Sequence, residues 1–105
     1  MINREISIKL NHAEFHTLRN ELGRLGPVGP YGDVTQQMAV WILYNFIKRL
    51  YGRGVVFKDT KVKLNLGEMA ALKYFIVNNL HNYDRQSYEG NLLRRILFEI
   101  DQKLA

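Results

Sequence analysis

One stretch of eight residues occurs twice in this chain. Ile8-Lys9-Leu10-Asn11-His12-Ala13-Glu14-Phe15 is followed 54 positions later by Val62-Lys63-Leu64-Asn65-Leu66-Gly67-Glu68-Met69, with like chemistry at six of the eight sites. Each copy reads as a β-strand that enters an α-helix through a capped corner. Asn11 and Asn65 are N-cap residues, whose side-chain oxygens accept from an N–H of the first helical turn that has no partner in the helix. Glu14 and Glu68 stand three places on, where a carboxylate reaches back to the cap's own N–H and closes a variant capping box. Leu10 with Phe15, and Leu64 with Met69, have the spacing of a hydrophobic staple, which sets the angle at which the strand meets the helix.

The 54-residue register continues without a gap. Leu18, Arg19 and Leu22 fall on Leu72, Lys73 and Ile76. Met38, Ile42, Leu43, Tyr44 and Phe46 fall on Leu92, Ile96, Leu97, Phe98 and Ile100, and Ile2, Arg4 and Glu5 fall on Val56, Lys58 and Asp59. Self-similarity at a fixed period outranks local assignments. The chain is therefore expected to be an internal duplication, with copies at 1–51 and 55–105 joined by Gly52-Arg53-Gly54. Units of this size are marginal alone, so one core shared in a single domain is expected.

The elements follow from periodicity. Ile6, Ile8 and Leu10 alternate with Glu5, Ser7 and Lys9, as on a half-buried strand. Helix one is predicted from His12 to Leu25 on the stripe Phe15, Leu18, Leu22 and Leu25. Residues 23–32 carry glycine at every third place with Pro27 and Pro30 between, which marks a loop. Asp33 is placed to cap helix two, which runs to about Tyr51. Its Met38, Val40, Trp41, Ile42, Leu43, Phe46, Ile47 and Leu50 leave little polar surface and predict a central helix. Val55 to Leu66 reads as the second strand, with Val62, Leu64 and Leu66 inward. A turn at residues 58–61 would instead leave Val55 to Phe57 as a separate short strand. Helix three spans about Gly67 to Asn79, and helix four about Ser87 to Leu104.

The order β-α-α-β-α-α predicts an α+β fold. Its two strands form an antiparallel ribbon about a pseudo-two-fold axis, packed against four helices, like an isologous dimer fused into one chain. In element order and repeat size each copy resembles a ribbon-helix-helix subunit, a family whose dimers place a two-stranded ribbon in the DNA major groove. That family joins its helices by a tight turn, where this chain has the Gly/Pro stretch at 23–32.

Charge placement points in the same direction. The net charge is +5, and the window from Lys48 to Lys63 alone holds Lys48, Arg49, Arg53, Lys58, Lys61 and Lys63 against Asp59. Elsewhere acids and bases cancel. A ribbon would present Ser7, Lys9, Lys61 and Lys63 outward, with Glu5 and Asp59 as acidic exceptions. Lysine and serine donate to base edges or phosphates, and a two-stranded ribbon fits the major groove. Lys9, Arg49, Arg53, Lys58, Lys61 and Lys63 are thus the candidate nucleic-acid-binding residues of a small regulatory protein. The alternative is a protein-interaction or assembly module, possible as a homo-oligomer, using the aromatic segments around Tyr31, Tyr51, Tyr83 and Tyr88.

Other chemistry has little support. With no cysteine, disulfides, Cys-based zinc sites and Cys nucleophiles are excluded. His12 and His16 have the four-residue spacing of a shared metal, but a third ligand would have to come from His81 or Asp84. The glycine-rich stretch lacks the Lys-Ser/Thr of a phosphate loop. No catalytic residue, metal or cofactor is assigned, and no enzymatic activity is expected. Without a leader or an apolar span, a cytoplasmic protein is expected.

Overall fold

The computed structural model describes residues 5–24 and 34–104. Strand β1 (Glu5–Leu10) leads into helix α1 (His12–Arg24), and helix α2 (Val34–Tyr51) precedes strand β2 (Thr60–Asn65). Helix α3 (Leu66–Asn79), a 3-10 turn (Leu80–Asn82) and helix α4 (Tyr88–Leu104) complete the chain. The expected α+β body is present, with two antiparallel strands and four helices among the described residues. The Leu25 end of helix one, the Asp33 cap and the Gly/Pro stretch from residue 25 onward lie outside the described residues.

The two strands pair in the register Glu5↔Asn65, Ile6↔Leu64, Ser7↔Lys63, Ile8↔Val62, Lys9↔Lys61 and Leu10↔Thr60. Ile8 therefore faces the residue 54 places after it. Alternation places Ile8, Leu10, Val62 and Leu64 in the core, while Glu5, Ser7, Lys9, Lys61, Lys63 and Asn65 are exposed on the other face. Beneath the ribbon each helix adds its stripe. Phe15, Leu18 and Leu22 come from α1, and Leu43, Phe46, Ile47 and Leu50 from α2. Met69, Leu72, Phe75 and Ile76 come from α3, and Leu92, Leu93, Ile96 and Ile100 from α4, all in one cluster. The radius of gyration is 13.4 Å, close to the ~13 Å of a compact 100-residue body.

Both corners form as their residues prescribe. Asn65 Oδ1 accepts from Glu68 N at 2.8 Å while Asn65 N donates to Glu68 Oε1 at 2.9 Å. Asn11 and Glu14 make the same reciprocal pair at 2.8 and 2.9 Å. The staple residues Leu10, Phe15, Leu64 and Met69 are all buried.

Three expectations are corrected. Helix α2 is not central: Met38 is 59% and Trp41 67% exposed, and Tyr44 is exposed with them. At 100° per residue, Leu43, Phe46, Ile47 and Leu50 fall on one side of the helix, and Val34, Met38 and Trp41 on the opposite side. The helix looks apolar all round because it has two apolar faces, of which one meets the core. The second strand begins at Thr60, with no separate strand at residues 55–57. Gly54 turns the chain at φ +67°, and the following backbone is held by side chains of α1, leaving Phe57 84% exposed. Leu66, expected inward, is exposed because Asn65 ends the strand and Leu66 opens α3.

Candidate nucleic-acid interface

The outer face of the ribbon carries the Glu5–Asn65 rung at one end and two further rungs on either side of the inward-facing Ile8–Val62 pair. One rung sets Lys9 directly opposite Lys61, and the other sets Ser7 opposite Lys63. Like charges directly opposite on adjacent strands destabilise a sheet. Among the described residues no carboxylate lies within ion-pair distance of any of these three ammonium groups. The donors are therefore available to an external acceptor. Acid borders this face: Glu5 stands at the β1 start, Glu14 and Asp59 share a hollow with Lys9 and Lys61, and Glu99 shares one with Ser7.

Each ribbon lysine is held through its backbone by an arginine. Arg95 Nη2 donates to Lys9 O at 3.1 Å, Arg53 Nη1 to Lys61 O at 3.1 Å, and Arg49 Nη2 to Lys63 O at 2.8 Å. An open ribbon edge presents unpaired carbonyls, and guanidinium groups satisfy them here without covering the lysine side chains. Two of the same arginines also lock the corners. Arg49 Nη1 lies 2.8 Å from Glu68 Oε2, and Arg95 Nη1 lies 2.6 Å from Glu14 Oε2. Each capping glutamate thus uses one oxygen on its own cap and the other on an arginine from a helix of the opposite half of the chain.

Of the six residues singled out from sequence, Lys9, Lys61 and Lys63 converge on one exposed face. Arg49 and Arg53 lie beside it, but their guanidinium groups are engaged in holding β2. Arg53 also donates to Thr60 Oγ1 at 3.0 Å, and Arg49 stacks over the Phe46 ring at 5.2 Å. Lys58 is exposed, on a shallow groove lined with Arg53, Val55 to Phe57, Asp59 and Thr60. Arg95 was not singled out. It stands 81 residues from Glu14, and the residue 54 places before it is Trp41, so no local pattern marks it.

His16 has a structural occupation. Its Nδ1 lies 2.8 Å from Arg19 Nη2, and its Nε2 lies 3.1 Å from Val56 O and 3.2 Å from Val56 N. Arg19 also donates to Gly54 O. The pair ties the segment after the Gly-Arg-Gly joint to α1. His12 is exposed beside it, and among the described residues no group of three His, Asp or Glu side chains is placed to hold a metal.

A second surface feature lies on α2. Val34, Met38, Trp41 and Ile42 line an apolar hollow with Gln37, and the Trp41 and Tyr44 rings stack at 6.4 Å. The aromatic residues named from sequence do not gather there. Tyr51 lies over Arg19 at the C-terminal end of α2, and Tyr83 and Tyr88 flank the start of α4. Tyr31 lies outside the described residues. Among the described residues no helix is long and apolar enough to cross a membrane.

No family model, curated protein or solved structure matches this chain.

Proposed function

We propose that this protein is a non-enzymatic nucleic-acid-binding or regulatory protein, formed from two fused β-α-α units, whose ligand lies on the lysine face of the ribbon. The observation that carries the proposal is the Lys9–Lys61 rung with Lys63 beside it. Three exposed ammonium groups without a carboxylate partner are crowded on one face of a two-stranded ribbon, and their backbones are fixed by Arg95, Arg53 and Arg49. A polyanion relieves the repulsion that the fold tolerates. Nucleic acid is the polyanion whose groove admits a two-stranded ribbon. Lys58 and the exposed Lys48 at the end of α2 extend the positive field beyond the ribbon. Support for the duplication comes from the register, in which Ile8 faces Val62, and from α2 and α4, which begin 54 residues apart at Val34 and Tyr88.

Fluorescence anisotropy with random duplex DNA and with single-stranded RNA, each at two salt concentrations, tests the proposal. Salt-sensitive binding is expected, and the Lys9→Ala/Lys61→Ala/Lys63→Ala variant is expected to weaken it and to flatten the slope of log K against log salt by about 2 to 3 units. Unchanged binding by the triple variant would move the contact to another surface. No binding at low salt would remove the reading.

The apolar hollow on α2 favours a second reading, a protein-contact or assembly module. An exposed Trp beside Met and Tyr is the composition of an interface anchor. Self-association that depends on protein concentration and disappears in Trp41→Ser, seen by sedimentation without nucleic acid, would favour it.

A further inference from the structure

The ribbon's register carries the reading one step further, to the kind of nucleic-acid site. Partners across the ribbon always have numbers that add to 70, so its local two-fold passes through the Ile8–Val62 rung. That axis exchanges residues 54 apart. On the outer face it exchanges Lys9 with Lys63, which match, and Ser7 with Lys61, which do not. A ribbon made by two identical chains presents the same side chains on both sides of its axis and so suits a palindromic duplex. This ribbon presents two ammoniums on one rung and an ammonium with a hydroxyl on the other.

We propose that the ribbon reads a non-palindromic DNA duplex, with Ser7 and Lys61 as the pair of positions that distinguishes its two halves. This inference rests on the nucleic-acid reading of the same face. Rungs two residues apart along a strand are separated by roughly 6.6 Å, close to two base-pair steps, so the two rungs address different base pairs. The two side chains differ in what they accept. Lysine only donates, and its best partners in the major groove are the O6 and N7 acceptors of guanine, whereas a serine hydroxyl donates or accepts and tolerates any base pair. The Lys9–Lys61 rung therefore selects a guanine-bearing half, and the Ser7–Lys63 rung a more permissive one. The Lys9–Lys61 rung is held on both strands, by Arg95 on Lys9 O and by Arg53 of the joint on Lys61 O and Thr60 Oγ1, whereas the Ser7–Lys63 rung is held by Arg49 on Lys63 O. The joint occurs once in the chain, so the two ends of the ribbon are not equivalent in support either.

The test is selection from a random duplex library with wild type, Ser7→Lys and Lys61→Ser, followed by titration of the enriched duplexes. Wild type is expected to enrich a non-palindromic sequence. Ser7→Lys, which makes the two sides match, is expected to enrich an inverted repeat of the guanine-bearing half. Lys61→Ser is expected to lose the guanine preference that separates the two halves. Wild type should bind a duplex symmetrised on the permissive half roughly tenfold more weakly than its own site, the scale of one mismatched contact, and one symmetrised on the guanine-bearing half about as well as its own site. Both positions are exposed on the strand face, so each variant is expected to fold, which its circular dichroism spectrum and thermal midpoint check. A palindrome enriched by wild type, an unchanged site with Ser7→Lys, or salt-sensitive binding with no enrichment overturns the asymmetric reading alone. No binding of any duplex at low salt overturns the nucleic-acid reading beneath it as well.

Discussion

Glu68 shows how much a single side chain does in this fold. Its carboxylate is buried, with Oε1 on the N–H of Asn65 and Oε2 on Arg49. Gln at this place still completes a capping box but loses the charge, while Ala loses both. Glu68→Gln is therefore expected to cost less than about 1 kcal/mol, the range of a pair whose arginine is half exposed. Glu68→Ala is expected to cost roughly 1–2 kcal/mol by the loss of the box. Urea melts of the two variants beside Asn65→Ala check the order, and equal losses for Gln and Ala would assign the stability to the ion pair instead. Glu14 should show the same order, because it makes the same two contacts with Asn11 and Arg95.

At the scale of elements, legibility followed locality. The capped corners were readable because a cap, a carboxylate three places on and a staple are all set within six residues. The ribbon faces were readable because alternation in a six-residue strand has one interpretation. Helix α2 was misread because a count of apolar residues does not say which face meets the core, and Val34, Met38 and Trp41 lie opposite Leu43, Phe46 and Leu50. Arg95 escaped for a different reason: its partners Glu14 and Lys9 are more than eighty residues away, and only tertiary packing brings them together. The role of Arg49 was half legible. Its charge was noticed, but its attachment to Glu68 and to the Lys63 carbonyl depends on how the end of α2 meets the corner of α3. The two faces of α2 predict opposite mutational responses. Phe46→Ala removes a buried ring and is expected to cost roughly 3–5 kcal/mol. Trp41→Ser removes a ring that is largely in solvent and is expected to change monomer stability by less than about 1 kcal/mol. Thermal unfolding at low protein concentration separates the two. A large loss with Trp41→Ser would mean that its face is covered in solution.

For the whole molecule the decisive fact is that neither half keeps its contacts to itself. Strand β1 has β2 as its partner in the described structure. The corner of α1 is fastened by Arg95 of α4, and the corner of α3 by Arg49 of α2. The buried residues of all six elements form one cluster. A fragment of residues 1–53 loses the strand that pairs with β1, the arginine on Glu14 and about half of the core. A fragment of residues 54–105 loses the reciprocal set. Chains of about fifty residues bury too small a fraction of their surface to offset such losses. Each fragment alone is therefore expected to lack a cooperative thermal transition. An equimolar mixture is expected to recover one, together with the circular dichroism of the intact chain, because the ribbon and both arginine–glutamate pairs are re-formed only between the two pieces. The transition of the mixture should move up with concentration, as association requires. A fragment that unfolds cooperatively as a monomer would show that one half holds a sufficient core. A fragment that does so only as a dimer would mean that it pairs its strand with its own copy. In that case the fragment would form a symmetric ribbon, unlike that of this chain, in which Ser7 faces Lys63 and Lys9 faces Lys61.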